Sequence, residues 1–559
     1  MSHSSSRSST IHDQEQTGSD SQIRPGKKQQ SLGVTGPELA AGGGEIEKQQ
    51  RPDGKIELTE EDAEDKLGYA YPEWKKWLIL VIILCIQISM NSNAGMYGGA
   101  MDGIVERYGV TETKARLGQS MFLIAYAFGC ELWAPWSEEI GRWPTQQASL
   151  FLVNIWQILT ALSPTFAGFL TSRILNGLST AGGSVTLGVI ADLYRAEDTG
   201  FQYAVAFVVL SSVGGAPIGT VIGGFVATFH TNPSWIFWTL LIMGGIVQVL
   251  HFFLVPETRT TIILDREARK RRKNGENCWG PNELKEKRFS ARQVGIIWWR
   301  PFQMFFTEPI VLCLSLLSGF SDSLVFIFME SYDPIFEQWH FNTWQIGLCF
   351  FSSIIGYIIA YFTFLPVIWH HNKIRKVDPD KLEPESRLWW LLWLAPCLVW
   401  GLFGFAFTSF GPPTTHWIGP LIFTGIIGIA NYGVYKSSID YMIAAYGPYA
   451  ASATGGNDFA RDFLAGVAGL YSAPFYNNVP PEGKWHLIYP TAILGCLAVP
   501  IVIPIYIFYW KGKTLRLRSP FAMELEKARQ ARLASKRRRS TVAGKASTGD
   551  TSATHAEKV

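Results

Sequence analysis

The chain is organised around Gly129-Cys130-Glu131-Leu132-Trp133-Ala134-Pro135-Trp136-Ser137-Glu138-Glu139-Ile140-Gly141-Arg142-Trp143-Pro144, a short charged stretch. It separates two apolar segments, about 115–135 and 145–163, and each is long enough to cross a bilayer as a helix. Because the connection is short, the two helices must be neighbours, and Glu138 and Arg142 are expected at one membrane face. Taken alone, the stretch is a polar hairpin between two spans, and a more specific interpretation depends on the rest of the chain.

The composition is that of a membrane protein with polar ends. Of the 559 residues, 47% are hydrophobic, 14% are aromatic and only 17% are charged, which indicates a polytopic membrane protein. The formal net charge of +3 gives no support to nucleic-acid binding. The seven cysteines are scattered without metal-ligand spacing, so we expect neither a metal nor a cofactor.

Apolar segments of membrane-spanning length occur as a group of six, a hydrophilic loop and a second group of six. They fall near 77–100, 115–135, 145–163, 165–191, 201–229, 235–255, 302–330, 342–369, 387–410, 416–440, 448–475 and 486–510. The sequence therefore predicts an all-α fold of twelve transmembrane helices in two six-helix bundles, 71–255 and 302–510. The other segments are predicted to be a disordered tail (1–70), a linker (256–301) and a basic tail (511–559).

The distribution of positive charge predicts which membrane face is cytosolic. The 256–301 linker carries twelve Lys and Arg residues and the 511–559 tail carries thirteen, whereas the loops of the opposite face carry few. The positive-inside rule therefore places both termini and the linker in the cytosol. The basic runs Arg269–Lys273 and Lys536–Arg539 are explained by this orientation and by attraction to anionic lipid, so they need not be nuclear signals.

Several segments resemble the major facilitator superfamily, in the variant found in fungal twelve-span drug:proton antiporters. Leu132–Arg142 resembles the loop signature between spans two and three, and Ser172–Gly177, running to Asp192, resembles the fourth-span motif. Further matches are Gly215 and Gly219–Phe225 in span five, Pro256-Glu257-Thr258, Glu308–Val311, Phe328–Glu330, Tyr449–Ala453, Asn457 and Arg461. The resemblance covers about residues 71–515 and implies transport by alternating access between two bundles.

The resemblance also implies residues for proton coupling and gating, namely Arg173, Glu138, Arg142 and Asp192. Arg173 lies in an apolar helix, where a permanent charge is costly unless it faces a cavity or a partner. The alternative is that Arg173 snorkels to the interface from near the end of its helix. Glu138 and Arg142 can pair with each other or with the second bundle, as a latch that forms in one conformation.

Polar residues inside apolar spans are the candidates for the substrate path: Asn91, Asn93, Tyr97, Asn176, Asp322, Glu330, Asp440, Asn457 and Arg461. An acid at Asp322 suits a cationic substrate or a proton. Lys436 lies one helical turn from Asp440 and is a candidate ion-pair partner for it. For each of these residues the alternative is a polar group satisfied within the structure.

The span-five glycines Gly215, Gly219, Gly223 and Gly224 allow two helix backbones to approach closely. In the resembled family this seam is associated with antiport, and close packing alone is the alternative.

Together these features predict a proton-coupled efflux transporter of small organic molecules such as drugs, toxins or secondary metabolites. Trp143, Thr199 and Thr220 depart from the family pattern, which keeps open a proton-coupled uptake symporter of an organic solute or polyamine, or a sensor that does not transport. An enzyme is not expected, because His370-His371 is the single histidine pair in the sequence and GxSxG, HExxH and Walker motifs are absent. We expect a monomer whose partners are its substrate, protons and membrane lipid, in the plasma membrane, with the vacuolar membrane as the alternative.

Overall fold

The computed structural model describes residues 55–195, 198–284, 291–377, 382–479, 485–523, 525–527 and 530. Helices of the first half are α1 (Glu73–Gly95), α2 (Met101–Tyr108), α3 (Glu112–Glu139), α4 (Arg142–Leu162), α5 (Phe166–Thr180), α6 (Thr186–Leu193), α7 (Thr199–Phe229) and α8 (Ser234–Leu254). The linker contains α9 (Thr260–Lys273) and α10 (Ala291–Thr307). Helices of the second half are α11 (Pro309–Phe336), α12 (Thr343–Cys349), α13 (Phe351–Val377), α14 (Trp389–Thr408), α15 (Ile418–Tyr446), α16 (Ala450–Asn478) and α17 (Ile488–Arg516).

The predicted all-α membrane architecture is confirmed. Within the described residues, nine helical stretches are long and apolar enough to cross a membrane. The helices α3, α4 and α16 have 28, 21 and 29 residues, so they are also long enough, but they carry more polar side chains. Helices therefore stand at all twelve predicted spans.

Several predicted spans differ from the observed helices, and two of them differ at Gly or Pro residues. The span near 165–191 is divided into α5 and α6 by a 3₁₀ turn, Ala181–Val185. Within this turn Gly182 lies so close to Ser149 that a Cβ atom there would be 2.3 Å from the Ser149 hydroxyl. The span near 302–330 begins at Pro309, because Glu308 is extended and proline suits the first turn of a new helix.

Residues 55–70 are ordered, although the sequence analysis assigned all of 1–70 to a disordered tail. Strand β1 (Ile56–Glu57) pairs in parallel with β2 (Cys278–Trp279) of the linker, and two 3₁₀ turns follow β1. Apolar side chains of both segments form a small core: Leu58, Ala63, Leu67, Leu264, Ala268 and Cys278. The few apolar residues of this segment are buried only because the linker supplies the other side of the core. Residues 1–54 and 531–559 of the two predicted tails lie outside the described residues.

The most extensive contacts between the two halves involve α3 and α7. Helix α3 packs on α16, and α7 packs on α12 and α13. We call the side where α1 begins and α17 ends the terminal face, and the other side the distal face. The contact zone holds a small apolar cluster that includes Phe122, Tyr126 and Phe326, so residues of both halves surround the middle of the molecule.

Candidate substrate and proton site

The α3–α4 turn forms a buried charge network within the first half. The Arg142 Nε atom is 2.9 Å from Asp192 Oδ2, and Arg142 Nη1 donates to Ser137 Oγ at 2.6 Å. Arg142 and Asp192 are only 7% and 6% exposed. Glu138 is exposed on the last turn of α3. The structure thus brings together two of the predicted gating residues, and their pairing is with each other.

Glu257 completes this network from the end of α8. Its carboxylate accepts hydrogen bonds from the backbone N–H groups of Arg142 (2.9 Å) and Trp143 (3.3 Å), at the start of α4, where a negative charge is favourable. Gly141 adopts φ +117°, and a Cβ atom there would be 2.3 Å from Glu257 Oε2, so the turn requires glycine. The sequence analysis had placed Glu257 in a motif without assigning it this role.

Arg173 is fully buried in α5, which excludes snorkelling to the interface. Its Nε and Nη2 atoms each donate at 3.2 Å to a backbone carbonyl, of Gly118 and Asn93 respectively. The guanidinium carbon lies 4.4 Å from the ring centre of Phe122 and 5.0 Å from that of Tyr97. No ion pair between Arg173 and a carboxylate occurs among the described residues. The charge is therefore stabilised by carbonyl dipoles and aromatic faces.

The middle of the molecule contains a group of charged side chains that we call the central cluster: Asp322, Asp458, Arg461 and Asp462. Arg461 Nη2 donates to Asp462 Oδ1 at 3.3 Å, and Arg461 Nε is 3.9 Å from Asp322 Oδ2. The Tyr435 hydroxyl donates to Asp458 Oδ1 at 3.1 Å. Arg461 and Asp462 are 6% and 4% exposed, so one largely buried guanidinium contacts two carboxylates, those of Asp322 and Asp462.

A cavity opens beside the central cluster, between the two halves. Its lining includes Asn91 and Tyr126 from the first half and Asp322, Arg461 and Asp462 from the second. It measures about 20 Å³, which is room for about one water molecule. Sites for drug-sized ligands measure roughly 300–1,000 Å³, so in this conformation the cavity is too small to hold such a ligand.

Contacts between the halves close the cavity on both sides. On the distal side, Arg116 Nε donates to Glu330 Oε2 at 2.8 Å, joining α3 to α11. On the terminal side, the Tyr432 hydroxyl donates to the Ala206 carbonyl at 2.8 Å, joining α15 to α7. The rings of Phe128 on α3 and Phe459 on α16 lie 5.2 Å apart. The structure is thus an occluded arrangement of the two halves.

The remaining predicted path residues lie away from the cavity. Asp440 forms a buried ion pair with Lys436, the partner proposed from their spacing. Asn93 accepts a hydrogen bond from Gln157 through its side-chain oxygen. Asn176 and Asn457 are fully buried, and neither lines the cavity. Of the nine predicted path residues, the cavity therefore contains Asn91, Asp322 and Arg461.

The glycine seam packs against two different helices. Cβ atoms at Gly215 and Gly219 would lie within 3.0 Å of α1 atoms, and a Cβ atom at Gly223 would lie 3.0 Å from Met96, in the 3₁₀ turn that follows α1. A Cβ atom at Gly224 would instead be 3.2 Å from the Thr343 carbonyl of α12, in the second half. The seam therefore fixes a contact within the first half and one contact between the halves.

Asp458, Asp462 and Arg116 were missed by the sequence analysis. Asp458 and Asp462 are one helical turn apart in α16 and flank Arg461, a pattern that places all three on one side of the helix. That spacing was a usable signal, because charged residues inside a span usually face the protein interior. Arg116 had been counted only as a loop charge, and its partner, Glu330, is distant in sequence.

Comparison with known proteins decides the family. The model of the Major Facilitator Superfamily matches residues 83–470. The chain belongs to the major facilitator superfamily. The relatives of this major facilitator include the MFS-type transporter kojT of Aspergillus flavus, 31% identical over 74% of this chain and 73% of the relative. The cycloheximide resistance protein of Candida maltosa is 28% identical over 82% of this chain and 85% of the relative.

A third relative of this major facilitator is the ascochitine biosynthesis cluster MFS transporter of Didymella fabae, 27% identical over 81% of this chain and 87% of the relative. Among solved structures, the proton:xylose symporter XylE bound to 6-bromo-6-deoxy-D-glucose has a TM-score of 0.54 and 15% identity, covering 79% of this chain and 96% of the symporter. At that identity the likeness shows the fold alone. Because the relatives and structural neighbours are transporters, the prediction that this integral membrane protein is not an enzyme is confirmed.

Proposed function

We propose that this major facilitator exports small organic molecules in exchange for protons, by alternating access. The observation that carries the proposal is a closed cavity between the two halves, lined by Asp322, Arg461 and Asp462. Carboxylates in a water-poor site can carry a proton or hold a substrate, but an unpaired buried charge is costly. The central cluster is therefore expected to bind either a proton or a substrate at any time, and to exchange one for the other.

Opening toward either face requires particular contacts to break. Opening of the distal side separates α3 from α11 and so breaks the ion pair between Arg116 and Glu330. Opening of the terminal side separates α7 from α15 and breaks the hydrogen bond from Tyr432 to Ala206. Movement of the two halves as bodies around a midplane site is the established pattern for transporters with this architecture.

Export is supported by what the relatives are called, since a cycloheximide resistance protein and a biosynthesis-cluster transporter are among them. The same proposal includes cytosolic termini, a plasma-membrane location and a monomeric state. It also includes protons and lipid as partners. We assign a positioning role within the first half to Arg173 and to the ion pair of Arg142 with Asp192. They act by fixing helices that line the path.

The proposal is tested in sealed vesicles of known orientation, with proton flux and substrate flux recorded together. We expect protons to move opposite to substrate, and Asp322→Asn and Arg173→Ala to abolish both fluxes. Glu106→Gln, at an exposed position on α2, is the control and keeps both fluxes. Protons moving with the substrate would replace export by uptake, and the absence of any flux across a panel of cations, weak acids and neutral aromatics would favour a sensor.

The distal ion pair offers a second, independent test of alternating access. Its side chains are only 13% and 10% exposed, and breaking such a pair by removing one partner costs about 3 kcal/mol. Arg116→Gln should therefore raise the population open to the distal face by roughly 100-fold, if the pair exists only in the closed form. Distances between spin labels at the distal ends of α3 and α11 report this population. Glu112→Gln, which removes only the exposed partner of Arg116 at 3.3 Å, is the matched control.

A further inference from the structure

We infer that the central cavity binds an organic cation, a protonated amine or quaternary ammonium on an aromatic frame, and that Asp322 is its counter-ion. The inference rests on the proposed transport function and names the substrate class of the same site. Three observations support the inference: the charge of the cavity lining, the hydrogen bonding of Asp322 and Arg461, and the aromatic side chains of the walls.

The cavity wall is negative when its carboxylates are ionised. Asp322 and Asp462 line the cavity with a single cation, Arg461. Asp458 is not part of the lining and accepts a hydrogen bond from the Tyr435 hydroxyl. Carboxylates therefore outnumber cations in the lining, and a closed site of this kind reaches neutrality only by taking up a proton or a cationic ligand.

Asp322 and Arg461 line the cavity and have hydrogen-bonding capacity that the described residues do not use. Asp322 lies 3.9 Å from Arg461 Nε, beyond hydrogen-bond distance, and accepts no hydrogen bond among the residues that the structure describes. Asp462, in contrast, accepts a direct hydrogen bond from Arg461. The Arg461 Nη1 atom is buried, with no hydrogen-bond partner in the described part of the chain. A ligand cation would satisfy Asp322, and an acceptor oxygen on the same ligand would satisfy Arg461 Nη1.

Apart from Asn91 and Ser212, the remaining walls are aromatic and apolar. Phe122 and Tyr126 come from α3, and Phe326 comes from α11. Aromatic faces attract cations and offer no compensation to an anion, so an anionic ligand would meet both an excess of carboxylates and rings of the wrong polarity. The site therefore favours a cation with a flat apolar body over a neutral or anionic molecule of the same shape.

Protons and the cation compete for one carboxylate. When the site releases the cation, Asp322 becomes neutral by taking a proton, and that proton must leave before the next cation binds. The titratable groups that interact with Asp322 or share its cavity are Tyr126 on α3, Tyr357 on α13, and Asp458, Arg461 and Asp462 on α16. Because several groups could titrate, the test must combine the pH dependence of cation binding with substitution of Asp322.

The experiment measures binding and transport by the full chain in liposomes with three probes. Rhodamine 6G is a monocation with an ester oxygen, fluorescein is an anion on the same ring frame, and cycloheximide is neutral. We expect rhodamine 6G to bind at least tenfold more tightly than the other two. Its apparent affinity should weaken by up to about tenfold per unit of falling pH in the acidic range, as competition with one proton requires.

Asp322→Asn should weaken rhodamine 6G binding by about tenfold to a hundredfold and remove its pH dependence, because a charge-assisted contact is lost. Asp322→Glu keeps the charge and should retain both, which separates loss of the counter-ion from loss of the fold, and Glu106→Gln should match the wild type. Preference for fluorescein or cycloheximide, or unchanged rhodamine binding in Asp322→Asn, would overturn the inference. Cation binding that depends on Asp322 without any transport would support it while refuting the proposed export.

Discussion

Two glycines of α7 provide a matched test of the packing between α7 and α1. A Cβ atom at Gly219 would lie 2.7 Å from Ser92 Cα and 2.9 Å from the Ser92 carbonyl oxygen, both backbone atoms of α1. At Gly214, five residues earlier, the nearest atom is the end of the Ile218 side chain, at 3.9 Å. The substitutions Gly219→Ala and Gly214→Ala add the same methyl group to the same helix, so they differ mainly in what it contacts.

The expected energies follow from these distances. Carbon atoms pack at about 3.5–4.0 Å, so α1 and α7 must separate locally by roughly 0.8 Å to accept Gly219→Ala. Overpacking of this kind costs about 1–3 kcal/mol. Gly214→Ala meets no such contact and gains up to about 1 kcal/mol of helix propensity. Gly219→Ala gains the same helix propensity, so that contribution cancels and the two variants should differ in stability by about 1–3 kcal/mol.

The assay is the temperature at which half of the detergent-solubilised protein remains monodisperse after heating. We expect Gly219→Ala to lower this midpoint by several degrees and Gly214→Ala to leave it unchanged or raise it. Such unfolding is irreversible, so the order of the variants is the result, and not an equilibrium free energy. Equal midpoints for both variants, or a lower one for Gly214→Ala, would refute the close contact between α7 and α1.

Two other predictions concern charged groups. Hydrogen bonds from arginine side chains lower the pKa of Glu283 to about 2, so its contribution to linker stability is complete above about pH 4.5 and is lost as the pH falls toward 2. Glu283→Gln should therefore speed tryptic cleavage of α9 at neutral pH, whereas Glu276→Gln, at an exposed position, should not. Lys436→Met leaves Asp440 buried without its ion-pair partner and should destabilise the protein by about 3 kcal/mol. Adding Asp440→Asn should restore most of that loss, and a double variant less stable than Lys436→Met alone would contradict the pairing.

The sequence determined the helices and the family to a large extent. A membrane requires each spanning segment to satisfy its own backbone hydrogen bonds, so length and apolarity identify most of the spans. Motif spacing then indicated the superfamily, which the comparisons confirmed. The pairing of Asp440 with Lys436 was also accessible, because residues one helical turn apart share a face of the helix.

The tertiary structure alone decided which polar residues meet. Asp322 and Arg461 are 139 positions apart, and Arg116 and Glu330 are 214 positions apart. No local pattern specifies such pairs, because they depend on how α3, α11 and α16 are rotated and packed. The order in residues 55–70 has the same cause, since their apolar side chains are buried only against the linker. The local sequence pattern determines which segments form helices. The contacts that close the cavity are determined by how helices that are distant in sequence pack together.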